Sequence, residues 1–362
     1  MPVNKNQHFV PRCHFRPFTT GSANSSINLF NIHKRKIIPN ASVKHQCSRD
    51  YFYGTDEKLE SAIQLIEKGY GRTMAELGRN NYKFTDSQSA ILKTFWLFQN
   101  FRTEAVALHF VQMNNATREI ADLPAKEFSL KIKDAVFMGC RMFVESMHEI
   151  DDLHFCLVKN WTKIPFVTSD NPAVLANRWV IDKNKDKEFT FGIGSAGAIV
   201  VLPLSPRLLL LGYDSEVYSV FNADNITEIR NDRDVIAFNQ HQYLNCVANI
   251  YLHDTKYGNL LLDHYLDIES NRLTDRFVVR LAQIDYTYNE YSRYTVISPE
   301  MRDKTKEAII HSRSLFPIPK TWPSVIRMQD NGSVYTNGSA AGYVRLSRAV
   351  HGSGESFWRE RA

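Results

Sequence analysis

The spacing of hydrophobic residues changes twice along this 362-residue chain. Residues 1–56 show the short pattern of strands and turns, as in 27–32, where apolar and polar side chains alternate. Residues 57–150 repeat their apolar positions with a period of about 3.6 residues, which predicts a run of helices. From residue 151 the chain returns to short apolar runs that are typical of strands.

This spacing predicts individual elements and a fold class. Helices are expected at 57–77, from the capping pair Thr85–Asp86 through Phe110, at 125–150 and at 232–251. Strands are expected at 153–158, 164–168, 198–204 and 208–213. Strands followed by helices and then by strands predict an α+β fold, with a central mixed or antiparallel sheet and a helical layer at 57–150.

Length and hydropathy suggest how the chain is divided. With 43% hydrophobic residues, the chain can bury the core of one elaborate domain or two smaller ones. Residues 1–255 are expected to form a catalytic domain with 57–150 as a helical insertion. Residues 256–362 are expected to form an aromatic extension and tail packed on it. The most apolar stretch, 198–212, contains two prolines and an arginine, so no membrane-spanning helix is predicted.

Charge and cysteine content narrow the classes of function. The net charge is only +5, but residues 1–50 hold eight lysines and arginines against one acidic residue. Such a basic segment favours a polyanionic partner, although Lys34, Arg35 and Lys36 also fit a solvated hairpin tip. The five cysteines show no Cys-x-x-Cys spacing, which argues against a zinc knuckle or a disulfide framework. Reduced thiols in a cytoplasmic protein are expected.

One polar motif closes an apolar run. The residues Ser169-Asp170-Asn171-Pro172 follow the predicted strand 164–168. Asp170 can position or deprotonate a water, and Asn171 offers both a donor and an acceptor. Since Pro172 disfavours helical geometry at Asn171, the pair is expected at a strand-to-loop turn. Ordinary turn chemistry is the competing interpretation.

Several short motifs occur together with this one and in a fixed order. They are Gln7–Pro11 with Arg16, Arg49–Tyr53, the pair Glu60 and Glu67, Phe101–Thr103, Phe166–Pro172 and Leu202–Pro206. In this order they resemble a bacterial family known as domain of unknown function 4238, over roughly residues 4–255. The family name implies no established activity, so the chemistry has to come from the residues.

Three features within these segments carry candidate chemistry. Glu60 and Glu67 lie two helical turns apart, which places them on one face about 10 Å apart along the axis. Arg102 lies in an apolar helix, where it needs an acidic partner or a bound anion. His8 is expected to be an acid–base group, a metal ligand or a core histidine.

A glycine-rich segment is excluded from a dinucleotide-binding role. Gly192–Gly197 matches the spacing of the dinucleotide fingerprint. That fingerprint requires a helix to begin at its third glycine, so that the helix dipole meets the pyrophosphate. The residues that follow are a strand-type run ending in Pro203, and the segment is therefore interpreted as a loop.

These features predict a nucleic-acid-directed hydrolase in a bacterial phage-defence setting, with DNA preferred over RNA. Base excision is the first choice, because 12% aromatic residues suit stacking on an extruded base and a carboxylate can cleave an N-glycosidic bond without a cofactor. Asp170 would activate water or stabilise the sugar cation, Asn171 would orient base or water, and His8 would neutralise the leaving group. The residues expected to bind phosphates are Arg12, Arg16, Lys34, Arg35, Lys36 and Arg102.

Two other functions remain open on the sequence. A metal-dependent nuclease would hold Mg²⁺ with Asp50, Glu60, Glu67 and Asp170. A sensor of nucleic acid or protein would have no catalytic residue, and its Asp-Asn-Pro turn would be structural.

Overall fold

A computed structural model describes residues 5–79, 84–183, 190–288, 291–339, 342–351 and 356–362. The predicted α+β class is confirmed. The α-helices are α1 (Arg12–Phe15), α2 (Glu57–Arg79), α3 (Asp86–Phe101), α4 (Glu104–Ala121), α5 (Ala125–Phe128), α6 (Ile132–Glu145), α7 (Arg178–Lys183), α8 (Asp232–Asn245), α9 (Gly258–Ile268) and α10 (Leu346–His351).

The strands alternate with these helices along the chain. They are β1 (Asn6–His8), β2 (Thr19–Thr20), β3 (Ser26–Asn31), β4 (Lys36–Ser42), β5 (Ser48–Asp50), β6 (His154–Asn160), β7 (Thr168–Ser169), β8 (Val174–Ala176), β9 (Ile199–Ser205) and β10 (Leu208–Tyr213). The later strands are β11 (Tyr218–Ser219), β12 (Ile226–Ile229), β13 (Asn249–Leu252), β14 (Phe277–Tyr288), β15 (Tyr291–Ile297), β16 (Ala308–Ser314), β17 (Arg327–Met328), β18 (Ser333–Thr336), β19 (Tyr343–Val344) and β20 (Trp358–Arg361).

The central sheet is mixed, with strand order β12-β6-β10-β9-β8. Strand β12 runs parallel to β6, and the other pairs are antiparallel. Alternate residues on each strand face two different cores. Leu157 and Leu210 pack in the core shared with the helical layer, while Val158 and Leu211 pack in the core that includes Val334 of the C-terminal part. Burial of both faces explains why β9 and β10 are nearly continuous apolar runs.

The helical layer agrees with the predicted one and differs in where helices break. Helix α3 begins at a capping box in which the Thr85 side chain accepts from the Gln88 backbone N–H and the Gln88 side chain accepts from that of Thr85. The single helix predicted through Phe110 is wrong, because α3 ends at Phe101 and α4 begins at Glu104. The side chains of the two intervening residues, Arg102 and Thr103, bind polar partners in other segments.

A second sheet, with order β2-β3-β13-β7, corrects two predicted elements. The helix predicted at 232–251 stops at Asn245, and β13 follows it between β3 and β7. The strand predicted at 164–168 is reduced to β7. Upstream of β7 the chain binds helix α8 instead, with the Asn239 side chain accepting from the Val167 N–H and donating to the Pro165 carbonyl.

The C-terminal part is fixed on the body by a buried cation. Arg345 is 3% exposed and forms an ion pair with Asp152 at 2.9 Å. It also donates to the carbonyls of Glu149, Ile193 and Ser195. Among the described residues, no helix is long and apolar enough to cross a membrane.

Candidate functional site

A cavity of about 670 Å³ lies between the N-terminal segment and helix α2, and we call it the arginine cavity. Its polar lining comes from segments that are far apart in the sequence. The lining residues that carry titratable groups are His8, Arg12, Cys13, Arg16, Tyr53, Glu60, Glu67, Lys68, Arg72 and Arg102. The cavity therefore brings together five basic side chains, two carboxylates and one histidine.

Arg102 is the most buried of these cations, with 1% of its surface exposed. Its Nε donates to the Tyr53 hydroxyl at 2.8 Å, and its Nη2 donates to Glu67 Oε1 at 2.7 Å and to the His8 carbonyl at 2.6 Å. Burial lowers the pKa of Arg102, but Tyr53 and Glu67 raise it by more, so the guanidinium stays charged. Its Nη1 is buried and has no hydrogen-bond partner among the described residues. The two N–H groups of this nitrogen are thus left for a ligand.

His8 lies at the end of β1, which pairs with β5, the strand that includes the start of the Arg49–Tyr53 motif. Gln7 ties the two segments together, because its side chain donates to the Gly54 carbonyl and accepts from the Tyr53 N–H. Burial lowers the pKa of His8 below its ordinary value, although hydrogen bonding to the backbone at Val43 acts in the opposite direction. The ring is therefore neutral at pH 7, and its buried Nε2 lacks a partner among the described residues. A neutral imidazole with one unoccupied nitrogen is suited to accept a proton.

The carboxylates of the cavity come from one face of helix α2. Glu67 pairs with Arg102, and Glu60 accepts from the Gln64 side chain at 3.2 Å. Cys13 also lines the cavity, but burial raises the pKa of its thiol to about 12. A thiol with this pKa is a poor nucleophile at neutral pH.

Asp170 and Asn171 lie elsewhere and are held by backbone and side-chain hydrogen bonds. Asp170 Oδ1 accepts from the Val247 N–H at 2.8 Å, and Oδ2 accepts from those of Ala248 and Asn249 at 2.7 and 2.9 Å. Burial raises the pKa of Asp170, and these three N–H groups oppose that rise. This carboxylate fixes the turn between α8 and β13.

The segment that contains Asp170 is joined to the arginine cavity through residue 103. Asn171 Oδ1 accepts a hydrogen bond from the Thr103 hydroxyl at 2.8 Å. Thr103 follows Arg102 directly in the chain. The N-terminal segment also meets residues 164–172 directly, since His14 Nε2 lies 2.9 Å from Thr168 Oγ1. Asp170 itself is not among the residues that line the cavity.

The remaining predicted site residues are outside the cavity lining. Lys34, Arg35 and Lys36 are exposed at the β3–β4 hairpin, as expected, and Arg35 pairs with Glu269 at 2.9 Å. Asp50 is exposed and lies 3.3 Å from Lys5. Within the described part of the chain, no group of three or more His, Cys, Asp and Glu residues is arranged to hold a metal ion.

The segments of this cavity contain four of the motifs that the family resemblance rests on, namely those at 7–16, 49–53, 60–67 and 101–103. A family model described as Protein of unknown function (DUF4238) matches residues 6–256. The chain belongs to the DUF4238 family. The match includes every residue that lines the arginine cavity and confirms the expected resemblance. No curated protein and no solved structure matches the chain.

Sequence reasoning missed part of the cavity of this DUF4238 protein. Lys68 and Arg72 were not singled out, yet they line the cavity beside Glu60 and Glu67. Lys68 follows Glu67 directly, and Arg72 lies one helical turn after Lys68, so both cations flank the face of α2 that carries the two glutamates. The helical period of α2, extended from the two glutamates to its cations, would have identified them.

Proposed function

We propose that this protein is a hydrolase of nucleic acid whose active site is the arginine cavity. The observation that carries the proposal is the juxtaposition of a rigid, buried guanidinium and an unoccupied histidine nitrogen in one cationic cavity. Arginine binds phosphate oxygens through paired N–H donors, and here Arg102 is held by three partners before any ligand arrives.

The cavity suits chemistry at a phosphodiester. In the proposed step, His8 Nε2 takes a proton from a water or hydroxyl as its oxygen attacks phosphorus, and a P–O bond breaks. The leaving oxygen is protonated by solvent, which reaches the exposed rim at Arg12 and Arg16. Arg102, with these two cations, stabilises the negative charge that develops on the phosphate oxygens.

Two observations favour the phosphodiester over the N-glycosidic bond. Apart from His8, the only aromatic side chain among the described residues lining the cavity is Tyr53, so the cavity offers little surface for stacking an extruded base. Both oxygens of Asp170, the carboxylate predicted to act in base excision, already accept backbone N–H groups. We therefore assign Asp170 a positioning role, and its catalytic role stays a prediction.

Labelled DNA and RNA, single-stranded and duplex, would test the proposal. Strand scission without alkali is expected, whereas scission only after alkali would reveal abasic sites and favour base excision. His8→Gln should lower the rate by about 10²–10⁴-fold, the usual contribution of a general base. His33→Gln, an exposed histidine on the hairpin, is the matched control and should keep full activity. Parallel reactions with EDTA decide whether a metal takes part. A fully active His8→Gln protein would exclude this mechanism.

The salt dependence of nucleic-acid affinity shows which cations of the protein contact phosphates. If Arg12 and Arg16 contact phosphates, replacing both by glutamine should flatten the slope of log affinity against log salt by about 1.8 on duplex or about 1.4 on single strands. The matched control replaces Lys34 and Lys36, which removes the same charge outside the cavity. An equal effect of both double variants would show that the binding is not specific to the cavity.

A further inference from the structure

A second cavity, of about 710 Å³, lies on the other side of the Phe101–Arg102 segment. Phe101 lines this cavity, whereas the next residue lines the arginine cavity. Its wall combines the segment 190–195 with residues from 272–276 and 311–317, which lie beyond the part of the chain that the family model matches. We call it the glycine-loop cavity, after the segment Gly192–Gly197 that the sequence excluded as a dinucleotide fingerprint.

The glycine loop brings backbone to the edge of this cavity. Strand β9 follows it, as the sequence predicted, so it is not a phosphate loop at a helix terminus. The turn is closed by the Ser195 N–H donating to the Gly192 carbonyl at 3.1 Å and the Gly192 N–H donating to Ser195 Oγ at 2.8 Å. A Cβ at Gly194 would lie 2.2 Å from Glu149 Oε2. A side chain at this position would displace the Glu149 carboxylate, so the glycine lets the loop pack closely against it.

The charged lining of the cavity favours an anionic ligand that also has hydrogen-bond donors. Four arginines line it against a single carboxylate among the described residues, namely Arg272, Arg276, Arg313 and Arg348 against Glu149. Arg272 and Arg276 donate to carbonyls at the end of α8, and Arg348 pairs with Glu149 Oε1 at 2.7 Å. Glu149 Oε2 is buried and without a partner in the described part of the chain. It offers an acceptor for a ring N–H or a hydroxyl.

Aromatic side chains supply a surface for a planar ring. Phe316 stacks on Phe191 with ring centroids 3.9 Å apart, and Trp322 lies 5.2 Å from the His241 ring. All four residues line the glycine-loop cavity. Cations, an acceptor without a partner among the described residues and aromatic rings in one open cavity match the parts of a nucleotide: phosphate, base or ribose donors, and a stacking ring.

We propose that the glycine-loop cavity binds a nucleoside phosphate. Arg313, which is half-buried and donates through Nε to His311, binds the phosphate, and the base packs on the aromatic side chains. The ligand comes either as a free mononucleotide or as the terminal nucleotide of a chain. The site is separate from the arginine cavity and does not depend on the proposed hydrolase activity.

Calorimetric titration of the full-length protein with adenosine and guanosine 5′-monophosphate tests this site. Adenosine, guanosine and inorganic phosphate serve as partial ligands and should bind more weakly than the nucleotides. Arg313→Gln should weaken nucleotide binding by about tenfold, the effect of one charge-assisted hydrogen bond. Arg141→Gln, a 79% exposed arginine that lines neither cavity, should bind as the wild type does.

Further variants distinguish the two cavities and the two ligand sources. Binding that is unaffected by Arg313→Gln but lost in Arg12→Gln would place the nucleotide in the arginine cavity and overturn the proposal, as would absence of binding. If Arg313→Gln does not fold, Phe316→Leu provides an independent test of the stacking surface and should also weaken binding. A 5′-phosphorylated oligonucleotide that displaces the mononucleotide from the Arg12→Gln protein would identify a chain end as the natural ligand. Failure to displace it would identify the free nucleotide.

Discussion

Replacement of Asp170 by asparagine separates a structural from a catalytic carboxylate. Asparagine keeps one acceptor oxygen, which can serve the N–H groups of Ala248 and Asn249 that now share Oδ2. Its amide group then faces the Val247 N–H, so one donor meets another in a site that is 7% exposed. A buried donor left without a partner costs about 1–3 kcal/mol.

Removing the negative charge has two opposing effects on the free energy of unfolding. The remaining hydrogen bonds become weaker, but the energetic cost of burying a charge disappears. The two remaining bonds weaken by about 1 kcal/mol each when the acceptor is no longer ionised. Because the pKa of Asp170 is raised despite its three N–H donors, the energy regained by no longer burying a charge is at least as large as this loss. We therefore expect a net loss of about 1–3 kcal/mol in the free energy of unfolding, from the Val247 N–H left without an acceptor. At about 2.1 cal/mol/K per residue, this lowers the Tm by about 1–4 °C.

Thermal unfolding at pH 7, followed by circular dichroism, measures the effect. Asp267→Asn is the matched control, since its carboxylate is 61% exposed and pairs with Lys320 at the surface. Because the pKa of Asp170 is raised in the folded protein, the wild type gains stability as the pH falls through that pKa and the variant does not, so the gap between them should widen at low pH. An Asp170→Asn protein with unchanged Tm and no activity would refute the structural assignment and restore the catalytic one.

Three further changes probe the fold. Thr85→Ala removes the N-cap of α3 and should lower the free energy of unfolding, measured with denaturant, by about 1 kcal/mol. Unchanged stability would contradict this prediction. Burial holds the pKa of His241 at about 4, so the unfolded chain binds this proton first and stability falls as the pH drops from 6.5 towards 4. His241→Gln should reduce that slope by up to about 1.4 kcal/mol per pH unit, and an unchanged slope would contradict the assignment. Arg345→Met leaves Asp152 unpaired and should destabilise the protein by about 3–5 kcal/mol, whereas a change below about 1 kcal/mol would show that the clamp contributes little.

Local patterns in the sequence were sufficient to predict the bounds of those elements in which buried residues recur at a regular spacing. The apolar run 208–213 has the same bounds in the structure as β10, and α2 begins at the predicted Glu57. The capping pair Thr85–Asp86 marked the start of α3. These features depend on side chains within one or two turns of each other, so periodicity and capping chemistry predict them.

Hydrogen-bond partners from distant segments determined the other helix ends and the assembly of the candidate site. Helix α8 ends early because Asp170 binds the N–H groups of residues 247–249, and Asp170 and Val247 are 77 positions apart. The site depends in the same way on the bond between Arg102 and the His8 carbonyl, across 94 positions. The sequence by itself determined which polar residues needed partners, since a buried cation or carboxylate cannot stay unpaired. Only the tertiary structure decided which partner each one has, because many pairings satisfy the same polar groups and packing of the cores selects among them.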